Sequence, residues 1–530
     1  MQLPKPQYDV VVVGAGHNSL IAAAYLARCG LSVLVLERNS NPGGGAVSYE
    51  LTLPGFVHDT HATGAVLLQA SPVITHDELG LKSTYGLKFV EPPTNEMTVF
   101  SDGGTLVWYR DLDQTCQEIA KYSTKDATSY RQTVQFIQSL LPVIGMSMAR
   151  PPISVGSFIG LLEKTPFGIE LISAMMKSMY EVIVERFEHP RVQMALLKRS
   201  MGTVCGPEER GTGLNILMVM AAVHAFPLAV VVGGTQNLTR STIRCIEAHG
   251  GEVRVSSAVR RVINENGQAR GVELADGSLI AAGKAVLASI HPHHLGDLVD
   301  GLDAGLLARA RATTSSYFGT FMVHAALNER VQWNVGEVAE QCMIVNLVDA
   351  LSVKDFRRMC DEQRWGVVSK HFSGGVILNT KFDPTRAPPG KHVLSCYCFV
   401  PYNLEDGSPT QWDNIKNEFG EWILERISRY APNVSGANIL ARSFQSPLDL
   451  ERHSPSFRAG DVMGLGGYLH QTLGMRPTAE LSQYRVPGAK HLYLCGPFMH
   501  PGGGLTGGGR AVAIRMMEDL NVNYSKIVKV

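Results

Sequence analysis

Gly14 and Gly16 stand directly after the β-branched run Val10–Val13, and Glu37 follows 23 positions after Gly14. That spacing suits the recognition of a dinucleotide. The first glycine permits a tight turn, the second lets phosphate oxygens approach the backbone, and the acid accepts hydrogen bonds from a ribose. Arg38 adjoins the acid, and Pro42-Gly43-Gly44-Gly45-Ala46 gives a second place where backbone can close on a diphosphate. Ser19 takes the place of the third fingerprint glycine, whose task is close helix–strand packing, and serine is small enough for it. Toward the other end of the chain, Gly496 precedes His500-Pro501-Gly502-Gly503-Gly504-Leu505-Thr506-Gly507. A helix starting near Thr506–Arg510 would aim free N–H groups and its positive dipole end at a ring that gains negative charge. Gly504, Leu505 and Thr506 are the contacts expected there. Two glycine segments at opposite ends therefore point to one FAD and to redox chemistry.

The elements that must position these residues are legible around them. Tyr8–Leu36 reads as strand, turn, helix and strand, with Leu20, Ala23, Ala24 and Ala27 forming a narrow small-residue stripe suited to lying on a sheet. Val230-Val231-Val232-Gly233-Gly234 leads into a helix over Asn237–His249. Glu252–Ser256, the extended piece around Val259, Arg270–Leu274 and Leu279–Ala288 then read as strands. This unit completes a nucleotide-binding sheet and offers the Val259 backbone to an adenine. His491–Cys495 is a further short strand running into Gly496. No second Gly-x-Gly-x-x-Gly opens a helix after a strand, so a separate NAD(P)H domain is not expected.

Glu37-Arg38 with Gly43–Gly45, the Gly233-Gly234 helix start, Phe382-Asp383-Pro384-Thr385-Arg386-Ala387-Pro388-Pro389-Gly390-Lys391-His392 and His500–Gly504 together resemble the phytoene desaturase-like FAD oxidoreductases. That group includes carotenoid desaturases, isomerases and ketolases, and retinol saturase. The pyridine nucleotide-disulphide oxidoreductase domain-containing protein 2 type looks nearest, and the resemblance runs over essentially the whole chain. It implies an α/β fold: a Rossmann-like FAD-binding domain from discontinuous segments 1–70, 225–300 and 480–530, and an α+β substrate domain over 71–224 and 301–479. Many relatives carry Arg where this chain has Gly45. The resemblance also brings Gly55–His61 to the flavin face. There His61 or His58 could take a proton, since imidazole titrates near neutral pH, with Asp59 orienting one of them; all three could equally be hydrogen-bonded structural groups.

Composition narrows the classes. Lys+Arg 48 against Asp+Glu 48 gives zero formal charge, which favours no nucleic-acid partner. Charged residues are 18%, below the roughly 25% of ordinary domains, so an oily pocket or a homo-oligomer interface is expected. The nine cysteines form no C-x-x-C pair, which excludes disulfide redox chemistry and a zinc site and fits a reducing, cytoplasmic setting. His291-Pro292-His293-His294 reads as a solvated loop, and no metal is expected. The first strand begins within ten residues of Met1, leaving no room for a leader, and no apolar run is long enough to span a bilayer; peripheral membrane contact stays open. Arg476 could meet a substrate carboxylate or pair with an internal acid. The leading reading is an FAD-dependent oxidoreductase that desaturates a largely apolar small molecule, passing electrons to oxygen, a quinone or another acceptor. Alternatives are an amine or alcohol oxidase, or a non-enzymatic prenyl-protein binder like the Rab GDP-dissociation inhibitors.

Overall fold

Strands buried on both faces are uniformly apolar, and here Tyr8–Val13 and Val33–Leu36 pair in parallel inside an eight-stranded sheet. A computed structural model describes residues 3–528. In sheet order the strands are Val259–Glu265, Gln268–Leu274, Ala489–Leu494, Leu279–Ala288, Tyr8–Val13, Val33–Leu36 and Glu252–Arg254, with Arg485–Val486 added on Ala489–Leu494. Val13 pairs with Ala288 and Ala288 with Leu494, so chain start, middle and end meet in three adjacent parallel strands. The architecture is α/β with a Rossmann-type parallel sheet.

The opening helix His17–Arg28 is buried continuously from Asn18 to Ala27, not along one narrow stripe. The reason is tertiary: it packs between the closing helix Gly508–Asp519 and the helix Gln236–Ala248 as well as on the sheet. Gly509 permits the closest approach, since a Cβ there would lie 2.1 Å from the Asn18 carbonyl oxygen.

A second, seven-stranded sheet runs Ile439–Gln445, Phe318–Leu327, His392–Pro401, Ser373–Ile377, Cys342–Val348, Thr94–Phe100 and Thr105–Tyr109. Side chains alternate across it. Phe321, Val323, Cys396 and Cys398 face one core with Trp412, whereas Phe318 and Phe399 join a helical layer containing Pro190–Ser200 and Gly213–Ala225. All nine cysteines are free thiols. Among the described residues, no helix is long and apolar enough to cross a membrane.

Candidate functional site

The two amino-terminal glycine turns lie against each other. Gly14 adopts φ +88°, Gly44 adopts φ +60°, and a Cβ on Gly44 would sit 3.0 Å from Gly16 Cα. Gly16 and Gly43 form an isolated parallel bridge. Glu37 is buried, and its carboxylate accepts from the Ala15 N–H (2.8 Å) and the Asn39 N–H (2.9 Å), so the acid also stiffens the turn beside it. Arg38 donates to the carbonyl oxygens of Arg452 and His453, fastening this edge to the segment that leads to Phe457. A Cβ on Gly45 would come within 2.8 Å of Phe457 Cζ, so an aromatic ring fills the space beside that glycine.

A cavity of about 780 Å³ runs along these turns, within the size range of cofactor and ligand sites. Gly14, Gly16, Ser19, Glu37, Arg38, Gly44, Gly45, His61, Val259, Gly496, Gly504 and Leu505 all line it. Thr506 does not; its hydroxyl accepts from the Gly508 N–H at the start of the closing helix. His17 and Asn18 also line the cavity, and neither was expected there from the sequence. His17 Nε2, Asn18 Oδ1 and Ser19 Oγ are buried without hydrogen-bond partners among the described residues. Buried polar atoms rarely stay unpaired. Their placement in the first turn of a helix that follows Gly16 was the available signal. With no atom within 4 Å of a Cβ built on Gly16, this wall fits a diphosphate and its attached ring.

The three candidate catalytic groups separate. His61 lies on the wall, its ring 4.8 Å from Phe457 and 5.6 Å from His453, with Nδ1 2.6 Å from Thr60 Oγ1. Its Nε2 has no partner among the described residues, and burial, aided by His453 and His324, pushes its pKa down to about 3. His61 is therefore a neutral ring. His58 lies off the wall, its Nε2 2.9 Å from Thr52 Oγ1 and its ring 5.2 Å from His324. Burial first, then His324 and Arg386, hold it well below its ordinary range. Asp59 makes no hydrogen bond to either histidine among the described residues. It accepts from Ser48 Oγ (2.7 Å), Thr235 N (2.9 Å) and Asn379 Nδ2 (3.4 Å), and it meets Arg386 Nη1 at 3.1 Å. Arg386 Nε also donates to Asp383 (2.8 Å), and Asp383 accepts from the Gly233 N–H (2.7 Å). The Phe382–His392 motif is thereby pinned to the Gly233-Gly234 turn.

The same cavity is also lined by Thr320, Met322, Ile344, Ile377, Tyr397 and Phe399 of the second sheet and by Gly202, Val204, Val462 and Met463. This chamber is mainly apolar. Arg476 is not on its wall: the buried guanidinium donates to the carbonyl oxygens of Met463, Leu465, Gly466, Gln471, Pro497 and Met499. It shapes the loops behind the site and is not available to a substrate. The histidine cluster also departs from expectation. His291 is buried, begins a 3-10 turn and places Nε2 2.9 Å from the Gly464 carbonyl oxygen, and His293 Nε2 lies 2.8 Å from that of Thr313.

A family model described as an NAD(P)-binding Rossmann-like domain matches residues 12–76. One of the polypeptides of the limonene dehydrogenase of Castellaniella defragrans is 27% identical, over 98% of this chain and 96% of that protein. Pyridine nucleotide-disulfide oxidoreductase domain-containing protein 2 of Mus musculus is 28% identical, over 97% and 94%. A lycopene-forming phytoene desaturase of Pseudescherichia vulneris is 23% identical, over 96% and 99%. The chain is similar over nearly its whole length to phytoene desaturase-like FAD-dependent oxidoreductases. Among solved structures, the cyclohexylamine oxidase of Brevibacterium oxydans shares the fold, with a TM-score of 0.60, 16% identity and coverage of 97% and 100%.

The arrangement places a dinucleotide-type cradle and an apolar chamber in one continuous cavity. A ring nitrogen with a pKa near 3 is a poor proton acceptor at neutral pH. What His61 Nε2 can do on this wall is exchange a hydrogen bond with a neighbouring group.

Proposed function

We propose that this chain holds FAD in the cavity and dehydrogenates a largely apolar small molecule, forming a double bond and passing the electrons to oxygen, a quinone or another acceptor. The observation that carries this reading is the continuity of one cavity from the glycine turns to the apolar chamber. The names of the relatives, a limonene dehydrogenase and a phytoene desaturase, support the substrate class. When bound, FAD supplies a two-electron acceptor.

The chain's own residues have separable tasks. Gly14, Gly16, Gly44 and Gly45 admit the diphosphate to the backbone, and His17, Asn18 and Ser19 offer their unpartnered atoms to it and to the ring. Glu37 has lone pairs left for the ribose, and the Val259 backbone borders the adenine. Gly496, Gly504 and Leu505 on the cavity wall would bound the ring, with Thr506 ordering the helix start beside them. His61 hydrogen-bonds the ring or the substrate. Asp59 and His58 hold the segment that carries His61. The walls exclude water from the reacting carbon.

The test is the absorption spectrum of the purified protein, followed by anaerobic mixing with apolar hydrocarbons and acids, alcohols and amines. A yellow protein bleached by an apolar compound as a new double bond forms is the expected result. Bleaching by amines alone would replace desaturation by amine oxidation, and a colourless protein that refuses FAD would remove the cofactor assignment.

A further inference from the structure

One corner of the chamber carries polarity that a hydrocarbon would leave stranded. Tyr397 and Thr320 face the cavity from adjacent strands, in a register that pairs Thr320 with Phe399 and Met322 with Tyr397. Thr320 is 4% exposed, and its hydroxyl has no partner among the described residues. Opposite Tyr397 on the next strand stands Gly375, where a Cβ would come within 2.4 Å of the Tyr397 ring and 2.9 Å of its hydroxyl oxygen. Glycine therefore lets the ring lie across that strand.

Lys198 is not itself on the cavity wall; it stands behind it over this ring, its Nζ 5.2 Å from the centroid. It belongs to the last turn of Pro190–Ser200, four residues before the wall residue Gly202, and is only 2% exposed. Lys198 makes no hydrogen bond and no ion pair among the described residues. The neighbouring acid is already engaged: Glu96 pairs with Arg199 Nε at 2.7 Å and accepts from Asn346 Nδ2 at 2.7 Å. Glu96 is thus committed to Arg199 and Asn346, and the buried Lys198 ammonium has no carboxylate partner among the described residues. An uncompensated interior charge is costly, and burial draws the Lys198 ammonium below its ordinary range. The ammonium is attracted to the ring face, which fixes its place beside the Tyr397 hydroxyl.

We infer that this corner is a subsite for the carboxylate end of an otherwise apolar substrate, with the Tyr397 hydroxyl as donor and Lys198 as counter-charge. The inference rests on the chamber being the substrate site, as proposed above, and it narrows the substrate to apolar carboxylic acids. Thr320 supplies a second hydroxyl beside the same end. The remaining wall, Met322, Ile344 and Ile377, takes the apolar tail.

Decanoate, decan-1-ol and decylamine serve as probes, titrated calorimetrically into the FAD-containing protein at a pH of about 8, where the acid is ionised. Decanoate is expected to bind about tenfold or more tightly than the alcohol, and the amine not at all. Lys198→Met should weaken decanoate about tenfold and leave decan-1-ol unchanged. Tyr397→Phe should weaken decanoate several-fold and serves where Lys198→Met does not fold. Equal affinity for acid and alcohol, an unchanged decanoate affinity in both variants, or binding of none of the probes would overturn the subsite. Flavin absorbance in the same samples separates the two readings: a yellow protein indifferent to the carboxylate sinks the subsite alone, and a colourless one sinks the cofactor.

Discussion

Arg386 joins two acids far apart in sequence. Its guanidinium is fully buried between Asp383, a hydrogen-bond partner, and Asp59, an ion contact at 3.1 Å without hydrogen-bond alignment. Removing one partner of a buried pair leaves charge uncompensated and typically costs about 3–5 kcal/mol. Asp59→Asn is therefore expected to lower stability by about 3 kcal/mol in urea unfolding followed by tryptophan fluorescence. A variant of unchanged stability with turnover abolished would instead return Asp59 to the chemistry. The motif around Arg386 stood out in the sequence, but its task did not. A single ion contact between Asp59 and Arg386 leaves no periodic trace, and Arg476, tied to six carbonyl groups, reads in sequence like any charged residue.

Between elements, the decisive contact is the crossing of the opening and closing helices. A Cβ on Gly509 would strike the Asn18 carbonyl oxygen at 2.1 Å and Ile21 Cβ at 2.8 Å, both rigid parts of a buried helix. Gly509→Ala must push the closing helix away, and with it Gly504 and Leu505 on the cavity wall. FAD affinity is expected to fall at least about tenfold, read from flavin-to-protein absorbance after dialysis, because overpacking of this kind typically costs about 1–3 kcal/mol. Gly160→Ala is the control: it lies in the helix Val155–Leu162 with nothing within 4 Å of the added atom, and alanine should raise helix stability slightly. Local features here were legible in advance. Val10–Val13 and the flanking glycines declare a strand and a turn through their own backbone preferences. Burial on every side of the opening helix was not legible, since it depends on two helices hundreds of residues away.

At the scale of the whole molecule, the hydrophobic cores and the cavity among them enclose many histidines, and acid should unfold the chain. Burial depresses His61 and His291 to about 3 and His17, His224, His324 and His500 to about 4, each from an ordinary 6.5. Below 6.5 the unfolded chain takes up protons that the folded chain refuses until near pH 4. The unfolded state then binds more protons, so stability is complete above a pH of about 6.5 and is lost as the pH falls below it. Asp461 works in the opposite sense, since burial raises it from 3.8 to about 6 and the folded form keeps its proton across that window. One such acid does not offset six imidazoles. Six such groups act in one direction against a total stability of only about 5–15 kcal/mol, so acid should destabilise the fold strongly. Melting temperatures of the FAD-containing protein should be level above a pH of about 7 and drop steeply below about 6.5. His324→Gln, which removes one of these rings, should make the descent shallower. A melting temperature that climbs as the solution is acidified would mean that these histidines carry charge inside the fold, and the neutral His61 on the cavity wall would no longer stand.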